Sequence, residues 1–195
     1  MTKKLLSREE APFAPLSEKT FGLSIVKEVW ETEEGEKTYW KYSLPNTVQI
    51  FGVTTKGQII AISEFQPGVG TEYIHLPGET MEQGETPIEA AIRGLLEETG
   101  YKADSTKLLS SILENSGRSD RLVYIVLALN CEKIERETEK GIKTVLLSPN
   151  EFWTRLMQYF ATNPDYKHGG GNTLKATVLA FNAFNQLGFR LPFSF

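Results

Sequence analysis

The stretch Thr86-Pro-Ile-Glu-Ala-Ala-Ile-Arg-Gly-Leu-Leu-Glu-Glu-Thr-Gly100 decides how this chain is read. Thr86 suits a helix N-cap, Pro87 is tolerated in a first turn where its missing N–H has no partner to lose, and Gly100 supplies a stop. At about 100° per residue, Ile88, Ala91, Ile92, Leu95 and Thr99 share one face, which the spacing assigns to the core. Glu97 and Glu98 point away from it, with Arg93 beside Glu97. Gly94 and Ala90 lie on that same outward side. Clustered carboxylates with few basic neighbours suit hard divalent cations, which take oxygen ligands. The wheel alone also allows an ordinary solvated face with Glu89 and Arg93 as an i,i+4 pair.

Before this helix the pattern is that of strands. Residues 21–30 alternate, 31–35 are polar, and 38–42 are aromatic-rich, which predicts a hairpin. Two short apolar runs, 48–53 and 59–65, flank a polar turn and predict a second hairpin. Residues 73–76 read as a short strand ending at Pro77-Gly78. After the helix come strand-like runs at 108–113, 122–129 and 142–147, with a charge cluster at 132–140. Two helices close the chain, one over about 150–160 and one from near Asn172 to about Leu187, separated by Gly169-Gly-Gly. Strands and helices mix without regular alternation, so an α/β (α+β) domain with a mixed sheet flanked by helices is expected over residues 21–195. Residues 1–20, broken by Pro12 and Pro15, read as a loosely ordered arm.

The chain has 195 residues, 40% of them hydrophobic and 24% charged. That excludes disordered and fibrous classes. A net charge of −4 argues against non-specific binding to nucleic acid or acidic membranes. The scattered lysines lack the aromatic interleaving of nucleic-acid surfaces. The basic N-terminus is followed by no apolar run, and no segment approaches the roughly 20 apolar residues that span a bilayer. A soluble cytoplasmic protein is the expectation. The single cysteine, Cys131, offers neither an internal disulfide nor a thiolate zinc site. His75 and His168 lie too far apart to suggest a motif.

The residues around the helix carry a longer pattern. Glu79-Thr-Met-Glu-Gln-Gly-Glu85, then Arg93, Leu95, Glu97-Glu98, Gly100 and Tyr101, resemble the box of the Nudix hydrolase family, G-x5-E-x7-R-E-U-x-E-E-x-G-U with U bulky and apolar. Residues 51–65, the turn at 66–70, Leu76-Pro77-Gly78 and the closing helices are similar to the branch acting on nucleoside diphosphate sugars, ADP-ribose among them. The likeness covers roughly residues 20–190 and is loose outside the box. It implies the Nudix fold, a mixed sheet sandwiched between helices. It also implies hydrolysis of a diphosphate linked to a sugar or similar moiety, with Mg²⁺ (or Mn²⁺) as cofactor, and a homodimer through the N-terminal strands.

The resemblance also assigns roles. Glu97 and Glu98 would hold metal, joined by a backbone carbonyl near Gly78 or Glu79. Glu85 and Arg93 would pair to hold the loop against the helix. A base or extra metal ligand from a later loop is expected among Glu132, Glu135, Glu137 and Glu139, with Glu139 preferred, against the plainer reading of a solvated turn. Trp30 and Tyr42 would stack on a nucleobase, against the plainer reading of cross-strand packing. Phe65, Gln66 and Asp120 would line the substrate.

Four positions depart from the pattern. Gly94 replaces the glutamate after the box arginine, so a principal metal carboxylate is missing, and metal binding and catalysis are expected to weaken. Glycine costs roughly 1 kcal/mol in a helix interior, so helix stability gives no reason for it. Glu79 replaces the glycine that opens the box and either supplies a substitute carboxylate or disturbs the loop. Glu64-Phe65-Gln66 stands where relatives often carry Gln-Tyr-Arg, so a phosphate-reading arginine is absent. Arg121 closes a loop that usually ends in an acid. The competing function is a catalytically silent Nudix module that binds a nucleotide or nucleotide sugar for regulation.

Overall fold

The structure is a computed structural model and describes residues 4–12, 22–67, 70–161 and 171–186. His168 and Gly169 lie outside these, as do residues 13–20 of the expected arm. The chain forms two compact units, Met1–Asn46 with Ile112–Val123, and Thr47–Ser111 with Tyr124–Phe195.

The first unit is a three-stranded antiparallel sheet, β1 (Lys4–Pro12), β2 (Ser24–Thr32) and β3 (Gly35–Ser43), in that order. The expected hairpin is β2–β3; Gly35 at φ 97° supplies its left-handed turn position. The expected loose arm is corrected for residues 4–12. They pair with β2 from Lys4↔Glu31 to Pro12↔Ser24, with a bulge between Leu5 and Ser7. Charge alternation in Lys-Leu-Leu-Ser-Arg-Glu-Glu hides a strand whose partner, not its own hydrophobicity, holds it. Along β2, Ser24, Val26 and Glu28 are buried in the two-residue period of a strand. On β3 the successive residues Tyr39 and Trp40 are both exposed although they point to opposite faces, Trp40 at 58%. Tyr42 is bridged in parallel to Ser119, and its N–H donates to the Arg118 carbonyl at 2.9 Å.

The second unit is built on a larger sheet. Its spine is β11 (Lys143–Leu147), β5 (Ile59–Gln66), β4 (Thr47–Thr54), β10 (Leu122–Lys133) and β8 (Tyr101–Lys102). Three further strands attach to it: β6 (Thr71–His75) to β5, β7 (Gly78–Thr80) to β4, and β9 (Ser105–Leu113) to β10. One face carries α1 (Pro87–Thr99) over Val48, Ile50, Ile60, Val126 and Ala128. On β4 the next residue, Phe51, points the opposite way and meets Phe152 of α2 (Pro149–Ala161) and Phe181 of α3 (Gly171–Gln186) edge-on at 6.1 and 5.8 Å. The sheet is thus sandwiched by helices, as the sequence implied. β7 and β8 are too short to leave a periodic signal. No helix among the described residues is long and apolar enough to cross a membrane.

Helix α1 starts and stops where its sequence says. Thr86 caps it, Thr86 and Glu89 form a reciprocal capping box, and Gly100 at φ 68° ends it. The Glu89–Arg93 pair that the wheel also allowed does not form, since the Glu89 carboxylate serves the cap. The buried set also differs from the wheel. Ala90, Ala91, Gly94, Leu95, Glu98 and Thr99 are buried, whereas Ile92 is 43% exposed. The reason is the chain before the helix. β7 runs beside α1 and covers Gly94 and Glu98, which the wheel turned outward, while Ala90 packs in the core cluster with Val48 and Ile50.

Candidate functional site

The loop before α1 and the helix are fastened together by Arg93. Its guanidinium meets Glu85 through two bonds of 2.9 Å, Nε to Oε1 and Nη2 to Oε2, and Nη2 also donates to the Thr80 carbonyl at 2.9 Å. Planar fork and carboxylate match in geometry, which makes this the strong kind of ion pair. The bond to Arg93 holds the Glu85 carboxyl below its ordinary range, and Glu85 holds Arg93 still more firmly protonated. Nη1 of Arg93 lies 3.3 Å from Glu79 Oε2 and 3.5 Å from Glu97 Oε2. The pairing expected of Glu85 and Arg93 is present in the fold.

Glu98 is the unusual group. It is only 6% exposed, and its Oε2 accepts the Gly78 N–H at 3.1 Å. Gly78 must be small, since a Cβ there would lie 3.0 Å from the Val48 carbonyl oxygen. Burial pushes the Glu98 carboxyl up to about 9, the Gly78 N–H opposes that, and repulsion from Glu79, Glu64 and Glu139 adds to it. Glu79 is likewise raised, first by burial and then by Glu97 and Glu139, against relief from the Thr80 N–H and Arg93. Glu79 Oε1 takes the Thr80 N–H at 2.7 Å.

Glu139 is thus set apart from the other three candidates in its loop, because its charge is felt at both Glu79 and Glu98. Its N–H donates to the Glu97 carbonyl at 3.0 Å, which ties the loop to the last turn of α1. Glu97, Arg136, Glu137, Thr138 and Glu139 line a cavity of ≈ 480 Å³. Arg136 Nη2 is 3.9 Å from Glu97 Oε1.

Glu64 and His75 also belong to this neighbourhood, although sequence reasoning assigned Glu64 no site role of its own and set His75 aside as an isolated histidine. His75 Nε2 lies 3.1 Å from Glu64 Oε1, Gln66 Nε2 donates to that same oxygen at 2.7 Å, and Tyr73 stacks on the imidazole at 5.6 Å. The signal was absent from the sequence because only the β5–β6 register brings residues eleven apart together. Phe65, on the opposite face of β5, is 59% exposed.

In the first unit, Trp30, Tyr39, Trp40, Lys41 and Arg118 line a cavity of ≈ 350 Å³. Tyr42, Trp40 and Arg118 line a smaller one of ≈ 220 Å³. Trp30 Nε1 donates to Glu28 at 3.1 Å. Asp120 sits 3.0 Å from Arg8 and 3.4 Å from Lys41.

The donor set around Glu98 is all oxygen and short of positive charge, which fits a hard divalent cation. Among the described residues no group of three His, Cys, Asp or Glu side chains is placed to hold a metal ion by itself. These carboxylates would supply part of a shell, as suits Mg²⁺, which keeps waters and takes substrate phosphates.

The NUDIX domain pattern matches residues 44–168, and the chain belongs to that family. It is 30% identical over 95 residues to the ADP-ribose pyrophosphatase of Bacillus subtilis (strain 168), covering 49% of this chain and 51% of that protein. It is 32% identical over 68 residues to the ADP-sugar pyrophosphatase of Mus musculus, covering 35% and 31%. The chain thus spans about half the length, or less, of these curated relatives. A crystal structure of an ADP compounds hydrolase superimposes with a TM-score of 0.71 over 96% of this chain and 97% of the other, at 18% identity, which establishes the shared fold.

Proposed function

We propose that the protein is a pyrophosphohydrolase that cleaves the diphosphate of a nucleoside diphosphate linked to a sugar or similar moiety, with Mg²⁺ or Mn²⁺ as cofactor. The observation that carries this is Glu98, a carboxylate buried near Glu79, Glu64 and Glu139 whose hydrogen-bond partner among the described residues is the Gly78 N–H. Such a group is costly to ionise unless a cation joins it. The names of the two pyrophosphatase relatives support the substrate class.

Glu97, Glu98 and Glu79 would hold the metal, with a carbonyl at Gly78 or Glu79 as a further donor. When bound, the metal neutralises phosphate charge and lowers the pKa of the attacking water. Glu139 takes the water proton as the water oxygen bonds to phosphorus. The bridging P–O bond breaks with its electron pair leaving on the second phosphate, giving two phosphomonoesters. Glu85 and Arg93 act by fixing the loop. Trp30 and Tyr42 would stack on the base, and Phe65 and Gln66 would line the substrate. Asp120, which is paired with Arg8 and Lys41, would line it as well. A homodimer through the N-terminal strands completes the proposal.

A silent binding module is the second reading, and Gly94 favours it. The deciding experiment is formation of the phosphomonoester products, separated by chromatography, over a panel of nucleotide sugars, dinucleotides and nucleoside triphosphates, with and without Mg²⁺. Turnover of a sugar-linked diphosphate that stops on chelation is the expected result. Ligand binding without turnover of any of them would establish the silent module.

A further inference from the structure

Gly94 is buried on α1 with the Glu79 side chain directly above it. A Cβ built at Gly94 would lie 2.6 Å from Glu79 Cβ and 3.2 Å from its Cγ, with Ile50 Cδ1 at 3.6 Å closing the remaining side. Real Cβ atoms do not approach that closely, and the atom in the way is the root of the Glu79 side chain, which cannot swing aside. A side chain at 94 and the present placement of Glu79 are mutually exclusive.

The box pattern has glycine at the first of these positions and glutamate at the second. This chain has glutamate at the first and glycine at the second. We infer that the two positions have been exchanged as a unit, with Glu79 supplying from β7 the carboxylate that the pattern places on the helix, and Gly94 clearing the space for it. The Glu79 carboxylate is oriented for this by the Thr80 N–H and by Arg93 Nη1. It stands within the same group of acids as Glu97, Glu98 and Glu139. The missing ligand expected from the sequence is therefore relocated, and the alternative of a merely disturbed loop is set aside by a strand, β7, that stays paired to β4 through Glu79. The inference rests on the proposal that the site binds a divalent cation.

The test is Mn²⁺ titration of the full chain, followed by the electron paramagnetic resonance signal of free Mn²⁺, with a thermal melt of each variant to confirm folding. Glu79→Gln should weaken Mn²⁺ binding by at least about tenfold. Gly94→Ala adds no charge and only a methyl group, yet should weaken it as well by displacing Glu79. Gly94→Glu alone should also lose affinity, and Glu79→Gly/Gly94→Glu should bind better than either single change. Unchanged binding in Glu79→Gln, or a double variant no better than Glu79→Gly, overturns the exchange while leaving the hydrolase proposal intact. Failure of the unaltered protein to bind Mn²⁺ overturns the metal site itself, and the exchange with it.

Discussion

Glu28 and Glu98 are two glutamates buried to the same degree, 5% and 6% exposed, and they behave oppositely. For Glu28 burial works upward, but Lys41, Trp30 Nε1 and Arg8 outweigh it and hold the carboxyl below its ordinary range. Arg8 and Lys41 each lie 2.9 Å from its Oε1, and Asp120 completes a square of two cations and two anions. Glu98 has one backbone N–H and a ring of other acids, and is pushed up to about 9. Desolvation is common to both, so the difference lies in countercharge. A closed network such as that of Glu28 is complete as it stands. The acids around Glu98 are what the proposed divalent cation would complete.

The sharpest way to break that comparison is to neutralise each glutamate in turn. Glu98→Gln keeps an acceptor for the Gly78 N–H while removing the carboxyl. Product formation should fall by about 100-fold or more, while the metal-free protein gains about 2 kcal/mol because the amide needs no proton, which a carboxyl pushed up to about 9 must take up at neutral pH. Loss of activity together with a lower melting temperature would show that Glu98 is a structural group.

Glu28→Gln should do the reverse to stability. It leaves Arg8 and Lys41 facing an uncharged amide, and because both cations are partly exposed the cost is about 2 kcal/mol rather than the larger figure for a fully buried pair. A thermal melt reads it, and Mn²⁺ affinity should not move. An unchanged melt would mean that solvent already screens the square.

The smallest effect is on pH. Glu28, Asp120 and Glu85 are all held below their ordinary values. Their stabilisation is therefore full above the unfolded carboxylate range, about 4 to 4.5, and is lost as pH falls through the lower folded values. Melting temperature should decline on acidification below about pH 4.5, and the decline should be shallower in Glu28→Gln. An equal slope in both proteins would remove the square from the account of acid stability.

What could be read directly was whatever depends on short spacing. The cap at Thr86, the stop at Gly100 and the run of β strands are all local consequences of residue type, because a helix turn or strand period fixes which neighbours meet. The family resemblance was legible for the same reason, since the box is one continuous loop and helix. Three features were not. The strand at residues 4–12 has no apolar alternation and exists through its pairing with β2. Glu64 and His75 meet only through the β5–β6 register. The inward turn of Glu98, with Ile92 outward instead, depends on β7 lying against α1.

Gly94 marks the boundary between the two kinds of knowledge. The sequence by itself determined that a carboxylate had left the helix and that another had appeared fifteen residues earlier. Only the tertiary structure decided that these are one event, because steric exclusion between Glu79 and a side chain at 94 is a property of two segments in contact. Sequence order fixes which groups are available, and packing fixes which of them can occupy the same space.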